Sequence, residues 1–354
     1  MRRQSSRSVA IFWAALLCLV SLSAQTPPPA APLNVPLNAS QVTVWGVHDP
    51  SVIKAGNTWY VFSSGGRRDG SQLPVHCSTD LLDWAPCGHI FDAIPAWITA
   101  KMPTVQDLWA PDISFEDGEY RLYYAFSLLG KTKSGIALVT NKTLDRTSPD
   151  YAWVDHGLVL ETEEGDDYNA IDPNFIRDGE GADWLVFGSF WSGIKLRRLG
   201  PDGLLSPTDH KLYSLARRTP PFFTSWPEPG NSAVWQAIEG PFLVHHDGYF
   251  YLFTSWDQCC RGADSNYHVV VGRAESITGP YRDEQGHKLM DGGGTTILAG
   301  DAHWSGPGGQ SVYTGPDGQT LLVYHAYDHA TGRVSLRLAP ITWENNWPVV
   351  QGGP

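Results

Sequence analysis

The chain has 354 residues and a formal net charge of −12, from 25 Lys and Arg against 37 Asp and Glu. An acidic chain without a basic run is a poor partner for nucleic acid or an anionic membrane surface, so neither is expected. The 15 Trp and 14 Tyr suit sugar stacking, although in a β-rich protein most such residues are core.

Residues 1–24 read as a secretory signal peptide. MRRQSSR is a basic start, VAIFWAALLCLV an apolar core and SLSA a small-residue cleavage site, too short and wrongly flanked for a stable membrane span. Cleavage would remove Arg2, Arg3 and Arg7 and no acid, giving −12 − 3 = −15. Residues 25–40 form a Pro-rich leader, expected to be extended rather than a strand. From residue 41 to 354 repetition dominates, which favours one large all-β unit over two domains.

The repeat is clearest at 169–193, NAIDPNFIRDGEGADWLVFGSFWSG. A carboxylate (Asp172) leads into an apolar strand, a Gly/Asp turn and an aromatic-rich strand, the pattern of a β-hairpin. The same pattern occurs at 48–65, 110–127, 238–256 and 306–328, with a spacing of roughly 60–70 residues. Units of this kind bury their faces by stacking radially, so the expected fold is an all-β, five-bladed β-propeller. Asp49, Asp112, Asp172 and Glu239 each stand three positions before a large apolar residue (Val52, Phe115, Phe175 and Phe242), and Gly309 takes that place before Val312. Equivalent strand ends meet around a propeller axis, so these four acids are expected to face one another across one funnel.

In the first copy, Pro50 pushes Asp49 towards extended backbone. An Asp-Pro pair alone is more often a turn cap, but its recurrence at Asp172-Pro173 and Glu239-Gly240-Pro241 favours a shared site. Cys77 and Cys87 flank a short turn and could close it as a disulfide, which an oxidising compartment permits. In the second copy, Trp109 either stacks on a sugar or plugs a gap between blades, and Asp112 either faces substrate or binds backbone amides. The third adds Asn169 before Asp172, then Ser189, Phe190, Trp191 and Gly193, whose small residues among aromatics suit close ligand approach. In the fourth, apolar neighbours of Glu239 would raise its pKa, as a general acid needs. Cys259–Cys260 reads as a vicinal disulfide or two buried thiols, and zinc is not expected because no CxxC or HxxxH accompanies them. In the fifth, His325 in YHAYD points to the same axis, and Arg337 to the funnel or a blade interface.

HDPS, WAPD, NAIDP, GSFWSGI, IEGPF, CCRG, VGRAESITGPY, GGGT and WSGPG follow one another from about residue 47 to 347. In this order they resemble the endo-1,5-α-L-arabinanases of glycoside hydrolase family 43, which are five-bladed β-propellers. The resemblance implies Asp49 as the general base, Glu239 as the general acid and Asp172 as the residue that orients Glu239 and holds its pKa up. It implies an inverting reaction, whose two carboxyl groups stand roughly 6.5–9.5 Å apart to admit a water. Substrate contacts are expected from His48, Trp109, Asp112, Asn169, Ser189, Phe190, Trp191 and Gly193. A calcium ion held by His325 and water, an arabinan substrate and a secreted monomer complete the picture. Relatives often carry GPGH where this chain has Gly306-Pro307-Gly308-Gly309, which removes a polar group from the funnel. Exo-acting relatives and xylose-releasing enzymes of the same family remain alternatives. A non-catalytic carbohydrate-binding propeller is the reading from another class, and it has no need of two carboxyls poised apart in pKa.

Overall fold

The structure, a computed structural model, describes residues 42–218 and 237–354. The expected signal peptide (residues 1–24) and Pro-rich leader (residues 25–40) lie outside these residues, as do Trp235 and Gln236 before Glu239. The described chain forms a five-bladed β-propeller of antiparallel sheets. Blade 1 pairs Ser51–Ala55, Thr58–Phe62, Gln72–Ser78 and Ala85–Phe91 in sequence order, and blade 2 pairs Leu108–Glu116, Glu119–Ser127, Ser134–Asn141 and Val154–Thr162. Blade 3 runs Asn174–Arg177, Asp183–Phe187, Ile194–Arg198 and Tyr213–Ala216, and blade 4 Ile238–His246, Tyr249–Trp256, His268–Ala274 and Thr295–Ala299. Blade 5 combines Trp304–Thr314, Thr320–Asp328 and Val334–Glu344 with the N-terminal Val44–Trp45, so the two ends of the chain close the ring.

The hairpins read from sequence are the two innermost strands of each blade. Asp117-Gly118 and Asp247-Gly248 make two-residue turns with both residues at positive φ, the geometry that matches the twist of paired strands. Five apolar clusters lie between neighbouring blades, such as Leu185 and Phe187 against Tyr123 and Leu138 between blades 3 and 2. Cluster residues of blades 5 and 1, Leu321 and Val323 with Val61 and Trp59, join the ends of the ring. Burying each such side chain stabilises the fold by about 1.5–3 kcal/mol. Arg337 belongs to this closure rather than the funnel: its guanidinium donates to the Val42 carbonyl at 2.8 Å. Cys77 and Cys87 form a disulfide across two strands of blade 1.

The ring register differs from the one counted in sequence. Val52, Ile113, Phe175, Leu243 and Val312 pair with Val61, Leu122, Leu185, Leu252 and Leu322, the equivalent residues of the five hairpins. Three positions earlier stand Asp49, Ala110, Asp172, Gly240 and Gly309, with φ of 47, 44, 56, 55 and 55°. This shared left-handed turn marks the true equivalents, and only two of the five carry a carboxylate. The count from Phe115 failed because that ring is 50% exposed and the buried apolar residue of blade 2 is Ile113. Asp112 therefore matches Ser51 and Asn174: the Ile113, Phe175 and Leu243 amides donate to Ser51, Asp112 and Asn174 in turn. Glu239 stands one residue before its ring position, where an irregularity between Glu239 and Phe242 turns the strand.

Candidate active site

The funnel opens into a cavity of about 510 Å³ lined by Asp49, Asp172, Glu239, Trp109 and Tyr267. A second cavity of about 480 Å³ is lined by Ser189, Phe190, Trp191, Asn169 and Arg261. Trp109, Leu129, Ile171, Glu239, Cys259 and Cys260 border both. The three carboxylates thus surround one space, with Glu239 at the junction of two.

Asp49 sits among donors. Its Oδ2 accepts from Ser64 Oγ at 2.6 Å and lies 2.8 Å from His48 Nδ1, while Oδ1 is 3.6 Å from His325 Nδ1. Burial by itself would raise its pKa. The charge and hydrogen bond of His48 and the Ser64 bond overcome this and hold Asp49 well below the usual carboxylate range, while burial keeps the His325 ring neutral. His48 is pushed the other way: burial opposes its charge, but the Asp49 carboxylate raises its pKa.

Asp172 and Glu239 lie in different surroundings. Burial, then the charges of Glu239 and Asp49, push the Asp172 carboxyl well above its ordinary value, against one amide donor, Gly240 N at 3.0 Å. Burial also raises Glu239, opposed by hydrogen bonds from Ser189 Oγ at 2.6 Å and Tyr267 O–H at 2.7 Å. The two acids titrate as a pair, so which one keeps the last proton is a property of both. One ionised and one protonated carboxyl group facing a common cavity is what general acid–base chemistry on a single bond requires.

Several expected substrate contacts have other occupations. Asp112 lines the first cavity, but it is buried, and its carboxylate accepts from Phe175 N at 2.7 Å and from Asn174 Nδ2 at 3.3 Å, bracing blade 2 against blade 3. Burial, the largest influence, carries its pKa up to about 6 against these bonds. Gly193 is corrected. It borders neither cavity, and its φ of +82° and a β-carbon position 2.1 Å from the Ala216 carbonyl explain the glycine as a packing requirement. His48 borders the cavity but is engaged by Asp49 and, through Nε2, by Tyr327 O–H at 2.8 Å. Ser189 holds Glu239, and the buried Asn169 accepts from Ser134 at 2.5 Å while its side bounds the second cavity. Trp109, Phe190 and Trp191 line the cavities.

Sequence reading missed Ser64, Tyr267 and Tyr327. A signal for Ser64 was present. Counting three positions past Val61, Leu252 and Leu322 gives Ser64, Ser255 and His325, and each accepts the ring-position amide of a neighbouring blade: Ala110, Gly309 and Asp49. Tyr267 reaches Glu239 from just before the third strand of blade 4, and nothing local marks it.

His325 is fully buried, and its Nε2 has no hydrogen-bond partner among the described residues. An orphaned ring nitrogen beside Asp49 and His48 fits a site where His325 ligates a cation. Since Nδ1 takes the Asp49 N–H, ligation at Nε2 requires the ring proton to move to Nδ1. Gly309 explains the close approach here. A β-carbon at that position would lie 2.5 Å from Asp49 Oδ1 and 2.6 Å from His325 Cε1, so its glycine lets carboxylate and imidazole meet.

The Glycosyl hydrolases family 43 profile matches residues 42–348. The chain is 39% identical over 308 residues to the extracellular exo-α-(1→5)-L-arabinofuranosidase ArbA of Cellvibrio japonicus, covering 86% of each. It is 38% identical over 316 residues to the extracellular endo-α-(1→5)-L-arabinanase 1 of Bacillus subtilis, covering 87% of this chain and 90% of that one. Among solved structures, the Cellvibrio cellulosa α-L-arabinanase complexed with arabinohexaose superposes with a TM-score of 0.80 at 38% identity, covering 87% of this chain and 96% of that one. A profile spanning nearly the whole described propeller, relatives at this identity and the carboxylate-lined funnel agree. The chain belongs to glycoside hydrolase family 43.

Proposed function

We propose that this glycoside hydrolase cleaves internal α-1,5-linked arabinofuranosidic bonds of arabinan with inversion. The observation that carries the reading is the opposite drift of Asp49 and Glu239, one held ionised and one held towards its acid form around a single cavity. Glu239 donates its proton to the glycosidic oxygen as the C–O bond breaks. Asp49 takes a proton from the water that attacks the anomeric carbon from the opposite face. Asp172 acts through Glu239, its nearby charge favouring the protonated pair. After product leaves, Asp49 returns its proton to solvent and Glu239 regains one.

The substrate follows from the relatives, two of which carry α-(1→5)-arabinan activities in their names. Their exo and endo descriptions divide at nearly equal identity, so mode of action rests on the cleft. Cavity continues on both sides of Glu239, which supports sugar residues bound on each side of the broken bond. Export belongs to the same reading, supported by residues 1–24 and by both relatives being described as extracellular. His325 would hold a hydrated divalent cation, calcium by resemblance. Bound there, it would supply positive charge beside Asp49.

Product length over time from linear arabinan tests the mode. A ladder of oligosaccharides at the first time points is expected. Arabinose alone from the outset would overturn internal cleavage and favour the exo-acting alternative.

A further inference from the structure

The Cys259–Cys260 pair is a disulfide between adjacent residues. The buried-thiol alternative is excluded: Cys259 is half-buried, Cys260 is exposed, and both border the two cavities. Of the six residues common to those cavities, Glu239 is the only one with an ionisable group. The other five, Trp109, Leu129, Ile171 and the two disulfide-bonded cysteines, have side chains of carbon and sulfur apart from the Trp109 indole N–H. Leu129 is 88% exposed, which is unusual for a large aliphatic side chain unless something apolar covers it. A sugar chain crossing from one cavity to the other must pass between these groups at the proton donor.

The disulfide is also tied to the ionised side of the site. The Cys260 N–H donates to Tyr327 O–H at 3.0 Å, and Tyr327 meets His48 Nε2 at 2.8 Å. His48 Nδ1 in turn lies 2.8 Å from Asp49 Oδ2. Cys260 Sγ itself is 3.7 Å from His48 Nε2. Cys260 has a φ of 67°, a backbone region that a non-glycine residue keeps only when its surroundings impose it. A disulfide between adjacent residues closes a small ring and removes backbone freedom at that point. In the bonded form neither sulfur carries a proton, so the pair offers sugar a polarisable, non-donating face.

We propose that the Cys259–Cys260 disulfide is a substrate-positioning platform, on which the apolar C–H face of the sugar at the point of cleavage rests. This rests on the arabinan reading above. Its loss weakens binding of oligosaccharides that span both cavities, because an apolar contact in a pocket discriminates by about 10–200-fold. The chemical step keeps Asp49 and Glu239 and changes less.

The test compares wild type with the Cys259→Ala/Cys260→Ala double variant, each also in a Glu239→Gln background for calorimetric binding of arabinohexaose. The double variant is expected to raise KM on linear arabinan, and Kd for the hexasaccharide, about tenfold or more. Its kcat should stay within about threefold and its Tm within a few degrees. Mild reduction of wild type should reproduce the KM rise and reoxidation reverse it. A Cys77→Ser/Cys87→Ser variant should respond to reductant in the same way, which assigns the effect to the vicinal pair. Unchanged KM and Kd in the Cys259/Cys260 variant overturn the platform while leaving the arabinan reading intact. A KM rise that follows a matching fall in Tm also overturns it, as a purely structural role. No binding of arabinohexaose by wild-type protein overturns the arabinan reading and this inference together.

Discussion

The two sides of the funnel carry the same functional group in opposite surroundings. On the side of blades 1 and 5, Asp49 has a serine hydroxyl and two imidazoles beside it. On the side of blades 3 and 4, Asp172 receives one amide, and Glu239 receives two neutral hydroxyls. Burial acts alike on all three and raises each pKa. The cations and donors decide the outcome: imidazole charge reverses the effect at Asp49, while mutual carboxylate repulsion reinforces it at Asp172. Placement in the ring supplies the acids, and their neighbours assign the protons.

Four substitutions break or sharpen this contrast. The largest effect is expected from neutralising one member of each side. Asp49→Asn and Glu239→Gln each remove a proton-transfer group while keeping its shape, and Asn tolerates the left-handed backbone at 49. Each should lower kcat on arabinan about a hundredfold or more, with folding unchanged by circular dichroism. Retention of most activity by either would contradict the assignment of base or acid.

Asp172→Asn is expected to cost less in rate and to move the pH profile. Glu239 works protonated, so activity persists below its raised pKa and falls as pH rises through it. Without the second carboxylate, the coupled pair becomes a single acid that releases its proton more readily. The alkaline limb of kcat/KM should then shift to lower pH by about one to three units. An alkaline limb that stays in place would separate Asp172 from Glu239.

Tyr267→Phe should give the smallest change and the opposite sign. The Tyr267 hydroxyl donates to Glu239 and favours its ionised form. Its removal leaves Glu239 holding its proton longer, moving the alkaline limb up by about one unit at most. A shift downwards would mean that Tyr267 accepts rather than donates in the working enzyme.

Much of the molecule was legible in the chain. Five hairpins with Gly-containing turns and aromatic second strands implied the propeller, because each unit leaves a face that only another unit can cover. Asp49 and Asp172 stood at equivalent positions, and the order of motifs pointed to the family. Asp112 does line the funnel cavity, but reading it as the equivalent of Asp49 and Asp172 did not survive. An apolar residue in sequence shows no sign of whether it is buried, and the exposed Phe115 set the count two residues out. Gly193 looked like a ligand-approach glycine because close approach to a backbone carbonyl and to a sugar leave the same mark in a sequence.

What the chain determined by itself is therefore local and periodic: strand pairs, turns, ring positions and the placing of two carboxylates before prolines. Contacts between residues far apart along the chain were decided only by the closed ring. Tyr267 meets Glu239 across 28 residues, and His325 meets Asp49 across 276. The Cys260 amide reaches Tyr327 across 67 residues and, through it, the His48–Asp49 pair. Pattern in a sequence records what each segment buries, but a pKa depends on which charges and donors end within a few ångströms, and only tertiary structure places them there.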